Sequence, residues 1–322
     1  MGRAVLRLIS GGTVLAVAAA VVLAWGYAQF TGPGPLQVAR NVIIPAGTGL
    51  DGIASVLRGA GIIRHDYIFA IGARAFEKAR SLRAGEYHIP AKASPREVMD
   101  ILASGKTVVR RLTIPEGLTS AEVVDRLQRA EGLFGDVAVP KEGTLLPETY
   151  HFSYGDQRAD LLARMQESMR GALSRNWEMR APDLPFDAPE DALILASIVE
   201  RETGIARERG LVAGVFVNRL RKGMRLQSDP TVLYGISPEG LDRPLTRGDL
   251  KGETPYNTYV IDGLPPTPIA NPGIDAIRAV MNPVETDYLY FVADGTGGHA
   301  FARTLQEHNR NVRKWRKIRD AN

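Results

Sequence analysis

The sequence contains no cysteine. That excludes disulfides, thiolate metal sites and a cysteine nucleophile. It suits an oxidising compartment without requiring one. Histidine is scarce: His65, His88, His151, His299 and His308 are scattered, and no two stand at metal-ligand spacing. No metal or other cofactor is expected. An excess of one charge is lacking too. The chain carries 40 basic and 36 acidic side chains, a net charge of +4. The basic residues form no stripe interleaved with aromatics, so no nucleic-acid partner is expected.

Charge is missing altogether from two stretches. The first lies between Arg7 and Arg40. Within it, residues 8–30 are rich in Val, Ala and Leu and long enough to cross a hydrocarbon core of roughly 30 Å as a helix. Trp25, Tyr27 and Phe30 stand at its far end like an interfacial belt, and Arg3 and Arg7 place the N-terminus in the cytoplasm. A cleaved signal peptide is the competing reading, with Gly26-Tyr27-Ala28 as a passable small-x-small site. The length of the run favours a retained single-pass anchor, followed by the linker Thr31-Gly-Pro-Gly-Pro35.

The second uncharged stretch, Ala192 to Val199, is the middle of a helix expected over Ala188–Thr203. Asp187 is a plausible N-cap, Pro189 suits the first turn, and Gly204 is a natural stop. A helix without charge is buried on most sides. Leu193, Ala196, Ser197 and Glu200 fall on one helical stripe, so Glu200 continues an apolar face. Glu202, about 200° round the helix, is expected to be exposed or capping. Burial and the negative helix end both favour a protonated Glu200, as a general acid requires. A structural ion pair with Arg201, Arg207 or a distant arginine is the other reading of the same pattern.

Between these stretches runs a weak repeat. Ile44-Pro45, Ile89-Pro90 and Ile114-Pro115 are each followed thirteen residues on by a leucine: Leu57, Leu102 and Leu127. Each Ile-Pro closes a strand-like run and precedes a turn and an amphipathic helix. The alternative is chance recurrence of a common pattern. Beyond Glu142 the chain reads as helices over 159–176 and 205–220, a proline- and aromatic-rich loop region around Tyr256–Pro268, a helix over 272–281, a hairpin over 288–302 and a basic C-terminal helix. Ser228 or Asp229 before Pro230 is an N-cap signal.

Several of these segments resemble the MltG/YceG-like endolytic murein transglycosylases. The carriers are Leu195-Ala-Ser-Ile-Val-Glu-Arg-Glu-Thr203, Phe216-Val-Asn-Arg-Leu220, Met224-Arg-Leu-Gln-Ser-Asp-Pro-Thr-Val232, Tyr256-Asn-Thr-Tyr259, Gly263-Leu-Pro-Pro266, and Tyr290-Phe-Val-Ala-Asp-Gly295 with Gly298-His299. The anchor, the linker and Pro147-Glu-Thr-Tyr150 match as well. The resemblance is densest after Glu142 and weakest across the repeat. It implies that Glu200 is catalytic. It also implies cleavage of the β-1,4 bond between N-acetylmuramic acid and N-acetylglucosamine in nascent glycan strands, leaving 1,6-anhydro ends. Strand termination beside the peptidoglycan synthases (penicillin-binding proteins) follows from the same resemblance. So does a LysM-like subdomain in the repeat region.

The expected fold is α+β. Residues 1–7 are cytoplasmic, 8–30 a transmembrane helix, 31–35 a linker, 36–135 a small LysM-like module, and 136–322 a mixed α/β catalytic domain outside the inner (cytoplasmic) membrane. Asn218, Gln227, Ser228, Tyr256 and Asn257 are the candidates for gripping sugar, each with a capping, loop or packing role as its alternative. A non-catalytic glycan-binding scaffold and a hydrolytic muramidase are the other functional readings.

Overall fold

The computed structural model describes residues 2–320, with side chains from Thr13 onward. Arg3 and Arg7, on which the expected orientation turns, lie outside the described side chains. The fold is α+β, and every sheet among the described residues is two-stranded. Two compact units divide the chain. One comprises 1–110, 131–134 and 151–156; the other comprises 111–130, 135–150 and 157–322.

The first unit begins with α1 (Gly2–Thr31), whose Thr13–Thr31 portion is long and apolar enough to cross a membrane. Strands β1 (Arg40–Ile44) and β2 (Gly85–Ile89) pair antiparallel, with Val42 opposite Tyr87. Helices α2 (Leu50–Gly59), α3 (Asp66–Ala75) and α4 (Pro95–Ser104) complete it. The core gathers Ile44, Leu57, Phe69, Tyr87, Ile89 and Leu102, and it also takes Phe30 from the end of α1. The 31–35 stretch is tied down. Pro33 accepts from Arg64 Nη1 at 2.9 Å, and Gly34 N donates to Lys92 O at 3.1 Å.

The repeat is visible as structure. Strand β3 (Val109–Thr113) and helix α5 (Ser120–Arg129) form its third copy. Ile44, Ile89 and Ile114 are all buried, as are Leu57, Leu102 and Leu127. The third residue after each isoleucine has positive φ: Gly47 (78°), Lys92 (59°) and Gly117 (77°). N-caps then follow at Gly49, Ser94 and Thr119, the last two within full capping boxes. Helix α3, inserted between the first two copies, was not foreseen. The third copy from Arg111 onward belongs to the second unit. There Ser120 donates its backbone N–H and its hydroxyl to the Glu142 carboxylate.

Helices dominate the second unit: α6 (Arg158–Glu178), α7 (Pro189–Glu202), α8 (Ala206–Arg221), α9 (Asp229–Ile236), α10 (Ile274–Met281) and α11 (Leu305–Arg319). Strands β5 (Tyr290–Ala293) and β6 (His299–Ala302) make the expected hairpin. Strand β4 (Thr149–Ser153) pairs with β3. Helix α7 is the centre: Ala192 to Val199 are buried without exception, against α8 and α10. Asp187 does not cap it. Ala188 holds the N-cap position with no side-chain bond, leaving Pro189 and the acidic first turn to start the helix.

Candidate active site

Glu200 stands in the last turn of α7, where the apolar stripe ends. Its side chain retains 6% of its exposure. Gly273 N, at the N-cap of α10, donates to Glu200 Oε2 at 2.9 Å. Oε1 faces Arg209 Nη2 at 3.8 Å, too far for a hydrogen bond. Arg209, itself buried, also faces Glu116 at 3.8 Å and Asp275 at 3.7 Å, and its Nε has no partner. One guanidinium therefore sits among three carboxylates.

Opposing influences act on Glu200, and burial is the largest. Burial, Glu116 and Asp275 raise its pKa; the Gly273 N–H and Arg209 lower it. The balance is a carboxyl raised above its ordinary range. The ion-pair reading is answered in part. Arg201 is not the partner, since its Nη1 donates to Gly117 O at 3.1 Å; the distant Arg209 is the cation in reach.

The turn carrying Glu116 is fixed by Asn271, which is fully buried. Asn271 Nδ2 donates to Leu118 O, Ser120 Oγ and Glu142 Oε1, and Oδ1 accepts from Leu145 N. Asn271 O accepts from Gly117 N at 3.0 Å. Gly273 leaves room for Glu116: a Cβ there would lie 1.8 Å from Glu116 Oε1, so a larger residue would displace the Glu116 carboxylate. Asn271→Ala leaves several buried groups unpaired and is expected to cost about 2 kcal/mol. Chemical denaturation measures this; an unchanged midpoint would remove Asn271 from this role.

Glu202 requires a correction. It is not an exposed or capping residue. Ser228 Oγ donates to Glu202 Oε1 at 2.5 Å, and burial pushes its pKa up to about 7. The Ser228 hydroxyl pulls it down, Asp229 raises it, and His299 and Arg219 pull it down further. Ser228, Asp229 and Tyr259 lie near Glu202, on a side of α7 that helical angle alone assigned to solvent. Ser228 holds the N-cap position of α9 but makes no cap bond; its hydroxyl donates to Glu202 instead.

None of the five sugar-gripping candidates takes part in the hydrogen bonds or ion pairs of Glu200. Asn218 Nδ2 donates to Thr286 O at 2.6 Å and Tyr288 O at 3.2 Å. Asn257 is fully buried, and its amide holds the carbonyls of Asp249, Leu250 and Gly252. Tyr256 packs edge-on to Tyr234 at 4.9 Å and shares a hydrogen bond with Thr267. Gln227 is exposed and sits at φ 52°, a left-handed conformation that strains a non-glycine residue. A cleft of about 760 Å³ in this unit is lined by Leu211, Asn218, Arg221 and Tyr288 but not by Glu200. Glu200 and the charged groups around it lie outside that lining. No metal-holding group of His, Asp and Glu occurs among the described residues.

A buried acid held toward its protonated form at a helix end, on an α+β frame, is the equipment of an enzyme that works by general acid catalysis. The chain belongs to the YceG-like family, whose model matches residues 42–314. It is 31% identical over 309 residues to the endolytic murein transglycosylase of Bacillus subtilis (strain 168), covering 85% of this chain and 84% of that one. It is 30% identical over 320 residues to the endolytic murein transglycosylase of Streptococcus pneumoniae serotype 2, covering 84% of this chain but 57% of that longer one. A crystal structure of a YceG-like protein from Listeria monocytogenes superposes with a TM-score of 0.53 at 29% identity, covering 84% of this chain and 98% of that one.

Proposed function

We propose that this chain is a peptidoglycan endolytic transglycosylase, a lyase with Glu200 as its catalytic group. The observation that carries the reading is the buried Glu200 carboxyl, with Oε2 fixed by Gly273 N–H and Oε1 making no hydrogen bond. The proton is held on Oε1. It passes to the glycosidic oxygen as the C1–O bond of N-acetylmuramic acid breaks and positive charge develops on the sugar. The muramoyl 6-hydroxyl then attacks C1, forming the anhydro ring. Its proton returns to the Glu200 carboxylate. Because the attacking hydroxyl belongs to the same sugar, its effective concentration is high and water is not needed. Between the two steps the Glu200 anion is stabilised by Gly273 N–H and faces Arg209.

Finer parts of the reading rest on the sequence. Helix α1 is a retained single-pass anchor in the inner (cytoplasmic) membrane, with everything after it extracytoplasmic. The repeat region is a LysM-like glycan-holding module, and the enzyme works beside peptidoglycan synthases on nascent strands. Gln227, strained and exposed, is the sugar-gripping candidate best placed to touch substrate, while Ser228, Tyr256, Asn218 and Asn257 support the surrounding structure through their own hydrogen bonds.

The test is digestion of purified peptidoglycan with weighing of the products. Glycan ends lighter by one water than reducing ends are expected. Reducing ends instead would indicate a hydrolytic muramidase, and intact glycan would leave a binding scaffold.

A further inference from the structure

We propose that α3 lies in the membrane–water interface beside α1, so that two helices hold the first unit against an anionic bilayer. This rests on the reading of α1 as a retained anchor. Helix α1 has 30 residues, about 45 Å of helix, more than a hydrocarbon core of roughly 30 Å requires. Its last turn is therefore available to dock onto the unit that follows. Phe30 is 3% exposed and lies so close over α3 that a Cβ at Gly72 would meet its ring at 2.2 Å. Phe30 also stacks on Phe76 at 5.6 Å. The anchor enters the unit through a fixed contact with α3.

The outer face of α3 is the wrong kind for water. Its inner face buries Ile68, Phe69, Gly72 and Ala73. An amphipathic helix should then show polar residues outward. Instead Tyr67 is 51% exposed and Ile71 62%, with exposed Ala75 continuing the i, i+4, i+8 stripe. Phe76, just beyond the helix, is exposed as well. Between this face and α1 lies an apolar cleft of about 430 Å³, lined by Val22, Leu23, Tyr27, Ile71 and Phe76 among others. The exposed surface of α1 thus runs on into α3 without a polar break.

Two further features choose a lipid surface over another occupant. Trp25, His65 and Tyr67 stand together, with ring centroids 6.0 and 5.4 Å apart in succession. Such rings settle at the headgroup level, and here the belt continues from the anchor onto the start of α3. Residues 64–83 carry five basic and two acidic side chains. Arg96 adds a guanidinium 5.0 Å above the Phe76 ring. An apolar stripe flanked by cations matches anionic phospholipid.

The chain has no native cysteine, so single-cysteine variants report one site each. Leu15→Cys, Ile71→Cys and Asp100→Cys of the full chain are labelled with an environment-sensitive fluorophore. Each is reconstituted in vesicles of phosphatidylethanolamine and phosphatidylglycerol, with and without brominated acyl chains. All three positions are exposed, so melting temperatures should match the parent. The expected result is bromine quenching at Leu15 and Ile71 but not at Asp100. Quenching at Leu15 alone overturns the interfacial placement and leaves the anchor standing; a second copy of the chain covering α3 would give this result. No quenching at Leu15 overturns the anchor reading, and the proposal with it.

Discussion

Glu200→Gln is expected to lower anhydro-end production by roughly 10²- to 10⁴-fold, the usual worth of general acid catalysis. Use of one group as both acid and base places the loss toward the upper end. The amide keeps the volume and can still accept from Gly273 N–H, so the melting temperature should hold. Glycan binding should be retained. Activity of the parent should fall as pH rises through the raised pKa of Glu200, because burial and the nearby Glu116 and Asp275 carboxylates hold the proton there. A folded Glu200→Gln variant producing anhydro ends at near the parent rate would refute the assignment.

Much of the fold was legible because it is local. The Ile-Pro to leucine spacing rests on contacts within one strand, turn and helix, and all three copies bury their isoleucine and leucine. Helix α3 was missed because Gly72 and Arg74 interrupt its pattern. Its glycine serves a contact with Phe30, and no local rule reveals a contact 42 residues away in the chain.

The site was legible at one residue. Glu200 stood out as a charge closing an apolar stripe. Its surroundings did not, because Glu116, Arg209 and Asp275 come from three separate segments. One signal lay within the repeat. After Ile-Pro the first two copies carry Ala46 and Ala91, whereas the third carries Glu116. A charge where its counterparts need none points to a task outside the repeat, and Glu116 faces Arg209. The Asn271-Pro-Gly273 run, which fixes the turn and frees the N–H for Glu200, looked like an ordinary helix start.

Glu202 shows why helical angle is not burial. Its pKa is raised from 4.5 to about 7, chiefly by burial. The folded state therefore binds a proton more tightly than the unfolded chain does. Stability from this group is fully present below about pH 4.5 and is lost as pH rises through 7. At about 1.4 kcal/mol per pKa unit, the loss across that window is roughly 3 kcal/mol. Glu202→Gln keeps the volume and an oxygen to accept from Ser228 Oγ, but it has no charge to bury. The variant should match the parent near pH 4 and exceed its stability by up to roughly 3 kcal/mol at pH 8. Glu200 and Glu142 are raised by burial in the same direction, so the difference between variant and parent, rather than either curve alone, isolates Glu202. Urea titrations at both pH values measure it. A variant less stable than the parent at pH 8 would mean that Arg219 or His299 compensates the Glu202 charge. Cleavage by Glu202→Gln should persist, since its carboxyl is committed to Ser228 while Oε1 of Glu200 is not hydrogen-bonded. Loss of cleavage in a stable Glu202→Gln variant, with Glu200→Gln active, would move the acid two residues along α7.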